Sequence, residues 1–361
     1  MRWRTSWTAI SATAVLVGVG HPSCVASAAP DRVTVSSPTD LYRAVAAANG
    51  AGATEILLSD GLYRLERTLV IAGDGISLRS ASGDRTQVIL RGNGMRATDG
   101  VDNLIDVRGS HVSLVGLTLE QAGNHLIQLR GENDADHFRL INCVLRDGYE
   151  QLLKVTSERD GEPSADFGQV RGSRFEYTAD RGPNWYIGGI DLHSGKQWLI
   201  KNNTFRNIAS PAGQVAEHAI HIWKNSADNT VQNNVILNSD RGIGFGLTDQ
   251  WYRHNRGGVI AGNTIVHYRP DDPFADVGIS LENSPGTQVI GNAVYLGHGY
   301  PNGIEYRFEG TKDVLIAGNV TNKAIAGRDG AQALLEGNRQ GGLLVWLRDV
   351  LGQVFRRFFA S

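Results

Sequence analysis

The sequence predicts an all-β chain wound as a single right-handed parallel β-helix. Three observations carry that prediction: two short phrases recur at a nearly constant interval, apolar residues alternate with period two inside them, and both ends carry candidate caps. Such repeats have to be sought before domains are counted from length, because stacked coils form one domain however long the stack. The first phrase is an apolar strand, a Gly/Asn turn and a second short strand, at 199–205, 231–236, 259–265, 289–294 and 315–320. Its asparagines 203, 234, 263, 292 and 319 lie 31, 29, 29 and 27 residues apart. The second phrase, apolar-x-apolar-x, interleaves with it and starts at Ile105, Ile127, Leu153, Ile190, Ile220, Ile243, Ile279 and Ile304. Alternation marks strands with one buried face, and recurrence marks coils that cannot bury that face without neighbours. A β-propeller would need about four antiparallel strands in each ~40–50-residue blade. Neither the spacing nor the turns fit it.

The elements follow in chain order. Residues 1–29 read as a secretory signal peptide, with Arg2 and Arg4 ahead of an apolar run at 9–19 and an Ala26-Ser27-Ala28 cleavage pattern. That run is too short to span a bilayer, and Cys24, after His21-Pro22-Ser23, lacks a lipoprotein-type lead. The β-helix domain is expected over 30–340. It opens with a helix over 39–48, capped by a Thr or Ser, and a strand and turn over 55–63. At the far end, residues 341–361 carry Leu343, Leu344, Leu347, Leu351, Val354, Phe355 and Phe358 at helical spacing. They read as an amphipathic helix capping the last coil, which a solenoid needs; the alternative is a membrane-surface helix using Arg348, Arg356 and Arg357.

Composition excludes other classes. The 361 residues hold 35 Lys+Arg against 37 Asp+Glu, a net charge of −2, with 41% hydrophobic residues, 44 Gly, 10 Pro and 2 Cys. A disordered tail, a collagen, a disulfide mini-protein and a basic nucleic-acid binder are all ruled out. Without residues 1–29 the balance is 33 minus 37, or −4, and only Cys143 remains. No internal disulfide is then possible, even in the secreted or periplasmic setting that the leader implies. Cys143 itself reads as a small core residue.

The Asn/Gly ladder, the opening helix and Asp60-Gly61-Leu62-Tyr63 resemble the pectin-lyase-like β-helix superfamily, from about Asp40 to about Asn338. The resemblance implies the fold. Its members include polysaccharide lyases, uronan epimerases, glycoside hydrolases and binding proteins, so it leaves the activity open.

The second phrase locates the candidate site. Its apolar positions face the interior, so its x positions form two outward columns: Asp106, Gln128, Lys154, Asp191, His221, Gly244, Ser280, Glu305, and Arg108, Arg130, Thr156, His193, Trp223, Gly246, Glu282, Arg307. Neighbours in a column are ~4.8 Å apart. An ordinary solvated face would show Lys, Glu, Ser and Thr in no order. This one centres on Asp191 and His193, with Lys154 one coil before and His221 one coil after. Imidazoles beside a carboxylate and an ammonium exchange protons near neutral pH. Gly244 and Gly246 would let a flat ligand approach the backbone. Arg108, Arg130 and Arg307 would hold its carboxylates, with Glu282 and Glu305 on the same face. Long steps place loops at 157–187 and 247–276, and their Trp185, Tyr186, Trp251 and Tyr252 would stack on sugar rings.

Gly189-Ile190-Asp191-Leu192-His193 resembles the Asp-Pro-His strand motif of mannuronan C5-epimerases, with Leu192 in place of Pro and Ser194 where a second Asp is usual. That resemblance implies His193 as acid or base and Asp191 as its support. His218 points inward by parity and reads as a capping or supporting residue. Gly297-His298-Gly299 resembles a polygalacturonase signature, but Asp271 and Asp272 sit between two prolines rather than on neighbouring coils, and inverting hydrolysis needs two placed carboxyls. No zinc spacing stands out. Asp249 and Glu282 are candidate Ca²⁺ ligands, although no compact cluster of oxygen ligands stands out, and no cofactor is certain.

The expected function is an exported lyase that removes the C5 proton of a uronate in an acidic polysaccharide and eliminates the 4-linked sugar. A uronan C5-epimerase and a non-catalytic glycan-binding β-helix are the alternatives. The partner is an acidic polysaccharide, with no nucleic acid and no membrane span, and the chain is expected to act as a monomer.

Overall fold

The computed structural model describes residues 30–96, 102–211, 213–247 and 255–348. Over these residues the chain coils through three parallel walls of 12, 11 and 10 strands. One coil shows the path. Leu153–Thr156 lies in the 10-stranded wall, Gln169–Arg171 in the 12-stranded wall and Arg174–Glu176 in the 11-stranded wall, before Ile190–His193 returns to the first. We call these the groove, ladder and back sheets.

The register is the one the sequence pattern predicts. Ile105, Ile127, Leu153, Ile190, Ile220, Ile243, Ile279 and Ile304 pair in succession along the groove sheet. All eight are buried, and the interior they share with the inward residues of the other two walls forms one continuous core. Stacking is literal in places: the Phe175 and Phe205 rings lie 4.7 Å apart and nearly parallel. Each fully buried Ile, Leu or Phe contributes ~1.5–3 kcal/mol, so every coil is held mainly by its neighbours.

The Gly/Asn turn joins the ladder sheet to the back sheet, and each of its two residues has a separate reason. The first takes a left-handed backbone: φ is 58° at Asn202, 55° at Asn233, 62° at Gly262, 61° at Gly291 and 63° at Gly318. Glycine and asparagine tolerate that region best. The second, always Asn in these coils, turns its amide inward. Asn234 Nδ2 donates to the Ile200 carbonyl at 2.9 Å and to Asn263 Oδ1 at 3.0 Å, while its Oδ1 accepts from the Asn203 backbone N–H and Nδ2, both at 3.0 Å. Asn263, Asn292 and Asn319 repeat the pattern, ending on Asn338. Both amide protons and the oxygen are therefore satisfied out of water, as buried polar groups must be. Cys143 is fully buried at an earlier rung, where its N–H donates to Ser173 Oγ.

A helix over Pro38–Ala51 covers the first coil with Leu41, Val45 and Ala48, and Ser37 caps it by accepting from the Asp40 N–H. At the other end residues 343–348 are helical. Trp346 is buried against Ala293 and Val320, with Val266 and Tyr295 beside it, so this helix lies on the outside of the back sheet. The inward-register Leu335 remains 46% exposed at the last coil. Leu351, Val354, Phe355 and Phe358, like residues 1–29, lie outside the described residues. Among the described residues no helix is long and apolar enough to cross a membrane.

The two long loops expected at 157–187 and 247–276 are not continuous. The first contains Gln169–Arg171 and Arg174–Glu176, and the second contains Asn255–Arg256, Val259–Ala261 and Thr264–His267. These strands are two to four residues long, too short for a period to show. The first insertion is instead split between the corners on either side of the groove sheet, at 157–168 and 177–189.

Candidate active site

Lys154, Asp191 and His193 meet on the outer face of the groove sheet, and His221 lies one coil beyond. Asp191 pairs in register with Lys154 before it and His221 after it. One Asp191 oxygen takes the Lys154 ammonium as a hydrogen-bonded ion pair. The other accepts from Trp223 Nε1 at 2.7 Å and lies 3.5 Å from His193 Nε2 and 4.0 Å from His221 Nδ1. The Trp223 indole lies flat beside the His221 ring at 5.5 Å and edge-on to His193 at 4.5 Å.

This face is less open than strand alternation alone predicts. Asp106, Gln128, Lys154, Asp191, His221, Ser280 and Glu305 are all buried, although they point away from the core. The second column folds over them: Arg130, Thr156, His193, Trp223, Glu282 and Arg307 are the partly exposed layer. Alternation assigns a face. It does not say whether long neighbours cover that face. His193 is therefore the titratable group of the central cluster that reaches the groove, and Asp191 and His221 form its floor.

The charges follow from that burial. Burial pushes the Asp191 carboxyl up, but the Lys154 ammonium outweighs it and holds the group well below the usual carboxylate range. Burial pulls the Lys154 ammonium down, and Asp191 more than restores it, so it stays protonated. For His193 burial wins over the attraction of Asp191, and the pKa falls. A neutral His193 thus stands beside a fixed ion pair. Its Nε2 lies 3.1 Å from Lys154 Nζ. An ammonium only donates, so Nε2 accepts and Nδ1 carries the ring proton.

The model of the family described as "Right handed beta helix region" matches residues 71–321. The chain belongs to that family. Its architecture is that of the pectin-lyase-like β-helix proteins. Solved structures agree on the fold. An alginate lyase from Paenibacillus sp. str. FPU-7 superposes with a TM-score of 0.57 at 17% identity, covering 86% of this chain and 99% of that one. PfbA, a surface adhesin of Streptococcus pneumoniae, gives 0.55 at 11% identity, covering 84% and 87%. No curated protein matches the chain. An enzyme and an adhesin share this scaffold at similar distance, so the chemistry has to be argued from the side chains.

The arginines expected to hold substrate carboxylates are engaged by the protein's own acids. Arg108 and Arg130 both bind Asp106, at 2.7 and 2.8 Å. Arg307 is shared by Glu282 at 3.2 Å, Asp329 at 3.1 Å and Glu305 at 3.5 Å. Glu305 further accepts from Tyr300, Asn302 and Arg328. Glu282, expected as a Ca²⁺ ligand, is thus an ion-pair partner of Arg307. Trp185 and Tyr186 stand exposed at the groove corner, ring centroids 5.6 Å apart. Trp251, Tyr252 and Asp249 lie outside the described residues. A separate cleft of about 820 Å³ at the opposite corner, lined in part by Arg159, Lys196 and Arg256, contains none of the four central residues.

Sequence reasoning misplaced one residue and gave Gly244 the wrong tenant. His218 does not point into the core. Its ring lies on the outer face, 4.6 Å from that of His221, with Nε2 3.0 Å from Ser280 Oγ. A Cβ on Gly244 would stand 2.6 Å from His218 Nε2, so that glycine makes room for an imidazole and not for a ligand. Gly246 has φ 83° and presents its carbonyl to His221 Nε2 at 3.0 Å. Counting parity back from Ile220 fails because the chain enters the strand through a corner. The available signal was the spacing Glu217-His218-x-x-His221.

Proposed function

We propose that this protein is an exported carbohydrate-active enzyme, a lyase that cleaves a uronate-containing polysaccharide by β-elimination. The observation that supports it is the convergence of a neutral, groove-facing His193 with the buried Lys154–Asp191 ion pair. A uronate carboxylate entering beside Lys154 competes with Nε2 of His193 for the ammonium and uncovers the imidazole lone pair. His193 then takes the C5 proton. The C5–H electron pair forms the C4=C5 bond as the C4–O4 bond breaks, and the imidazolium returns its proton to O4. Lys154 stabilises the charge that builds on the carboxylate during the step, and Asp191 keeps Lys154 in place and protonated. Trp185 and Tyr186 supply apolar faces for neighbouring sugar rings.

Elimination is favoured over C5 epimerisation because the titratable groups of the central cluster project from one sheet toward one side of the guest. Returning a proton to C5 from the opposite side needs a donor there. The test is incubation of the protein with a panel of uronans, following the absorbance of the unsaturated end. Product formed by the wild type and lowered about 10³-fold in His193→Ala supports the reading. Saturable binding without product on every uronan replaces it with the glycan-binding alternative, and inverted residues without cleavage replace it with the epimerase.

A further inference from the structure

We propose that Glu217, His218 and His221 form a binding site for a divalent transition-metal cation of the zinc type at the edge of the groove. One nitrogen from each imidazole and one Glu217 oxygen already lie within 4.8 Å of one another. His221 Nδ1 and Glu217 Oε2 are 3.6 Å apart.

Three features of the site point to a cation rather than to a satisfied cluster. First, His221 Nε2 sits 3.0 Å from the Gly246 carbonyl. A carbonyl only accepts, so Nε2 carries a proton, and Nδ1 is the ring nitrogen turned toward Glu217 and, at 4.0 Å, toward Asp191. Two carboxylates converging on one ring nitrogen are surroundings that favour a cation among them. Second, His218 is 6% exposed and its Nδ1 has no hydrogen-bond partner. A buried polar atom without a partner costs ~1–3 kcal/mol, and an absent ion is one of its ordinary explanations. Third, the His218 ring is seated deliberately: Gly244 leaves it room and Ser280 Oγ meets its Nε2 at 3.0 Å. That contact fixes the ring as outer hydrogen bonds fix metal-bound histidines.

The donor set selects the metal. Two imidazoles and one carboxylate suit Zn²⁺ and its neighbours, whereas Ca²⁺ requires an all-oxygen shell. Glu217 is partly exposed, so its carboxylate can swing to close the set while the two rings stay fixed. Arg241, which pairs in register with His218, is neutralised by Asp276 at 3.3 Å. Binding itself is independent of the lyase reading. Only the ion's use rests on that reading: it would give a substrate carboxylate the counter-charge that the committed arginines do not.

The test uses the full chain, stripped with a chelator and titrated with Co²⁺ and Zn²⁺ alone. One equivalent of Co²⁺ per chain is expected, with the visible absorption of a low-coordinate N/O site, displaced by Zn²⁺ and not by Ca²⁺. Glu217→Gln and His218→Ala should each weaken binding at least ~10-fold, the size that even the outer partners of a ligand carry. His267→Ala, which alters the separate His267–His298 pair, should leave it unchanged. Folding of each variant is checked by its melting temperature, and Glu217→Gln, at a partly exposed position, keeps the test open if His218→Ala misfolds. No stoichiometric uptake by the wild type, or uptake unchanged in Glu217→Gln and His218→Ala, overturns the site. Uptake without turnover of any uronan leaves it standing and removes only the lyase reading.

Discussion

Two polar columns run along this solenoid, and they are built on opposite rules. In the ladder column every rung from 234 to 319 is the same residue making the same bonds, and both amide protons and the oxygen are used. In the groove column, Lys154, Asp191, His221 and Gly244 succeed one another with no repeat. A uniform column can only hold coils together, because each rung is satisfied by a copy of itself. Such a non-uniform column sets an acid and a cation beside the base His193 of the next column, and on the same face it leaves His218 Nδ1 unpartnered. In a repeat protein, chemistry is therefore to be sought where the repeat is broken.

That contrast can be tested from both sides. The largest effect is expected at Lys154. Lys154→Met strands the Asp191 carboxylate without its counter-ion and should cost about 3–5 kcal/mol of unfolding free energy, together with activity. Adding Asp191→Leu should recover much of the stability and none of the activity, as denaturant titration and product absorbance would show. His193→Ala should leave the melting temperature nearly unchanged and lower turnover by about 10³-fold, within the usual range for a general base. A ladder rung should do the reverse. Asn263→Ala removes four hydrogen bonds and leaves buried partners on both neighbouring rungs, a loss of about 2–4 kcal/mol with turnover per folded molecule retained. If Asn263→Ala instead abolished turnover in folded protein, the division between the columns would fail.

Smaller effects sharpen the picture. Gly244→Ala drives a methyl into the His218 ring and should cost about 1–3 kcal/mol while displacing that imidazole, read as a lost melting temperature and weaker Co²⁺ uptake. Asp240 is a buried carboxylate whose pKa burial pushes up to about 6, while the Ala216 and Ser210 N–H groups oppose the shift. The folded state therefore holds the proton more tightly than the unfolded chain does. Stability is highest below the unfolded pKa near ~3.9 and falls as pH rises through about 6. Asp240→Asn installs at this corner the neutral amide that the ladder uses. It should flatten the dependence and raise stability at pH 8 by about 1–3 kcal/mol, measured by melting scans across pH.

Much of this was legible beforehand for a definite reason. The pairing of Ile105 through Ile304 and the Gly/Asn turns follow from local rules repeated many times, so the sequence states them redundantly, and the opening helix follows from its own cap. Lys154, Asp191, His193 and His221 were legible as neighbours because a parallel register turns equal places in the phrase into adjacent places in space. What the phrase did not contain was anything lying across it. Arg130 bending onto Asp106, Arg307 held among three acids, and Trp223 lying over His221 are contacts made by long side chains between columns.

The sequence by itself therefore determined the coil, its register and the residues that share the groove face, since those depend on periodicity and backbone preference. Only the tertiary structure decided which of those residues reach solvent, where His218 turns, and why Gly244 has no side chain. Burial and corner geometry are set by what neighbouring coils place above a residue, and no local pattern records that.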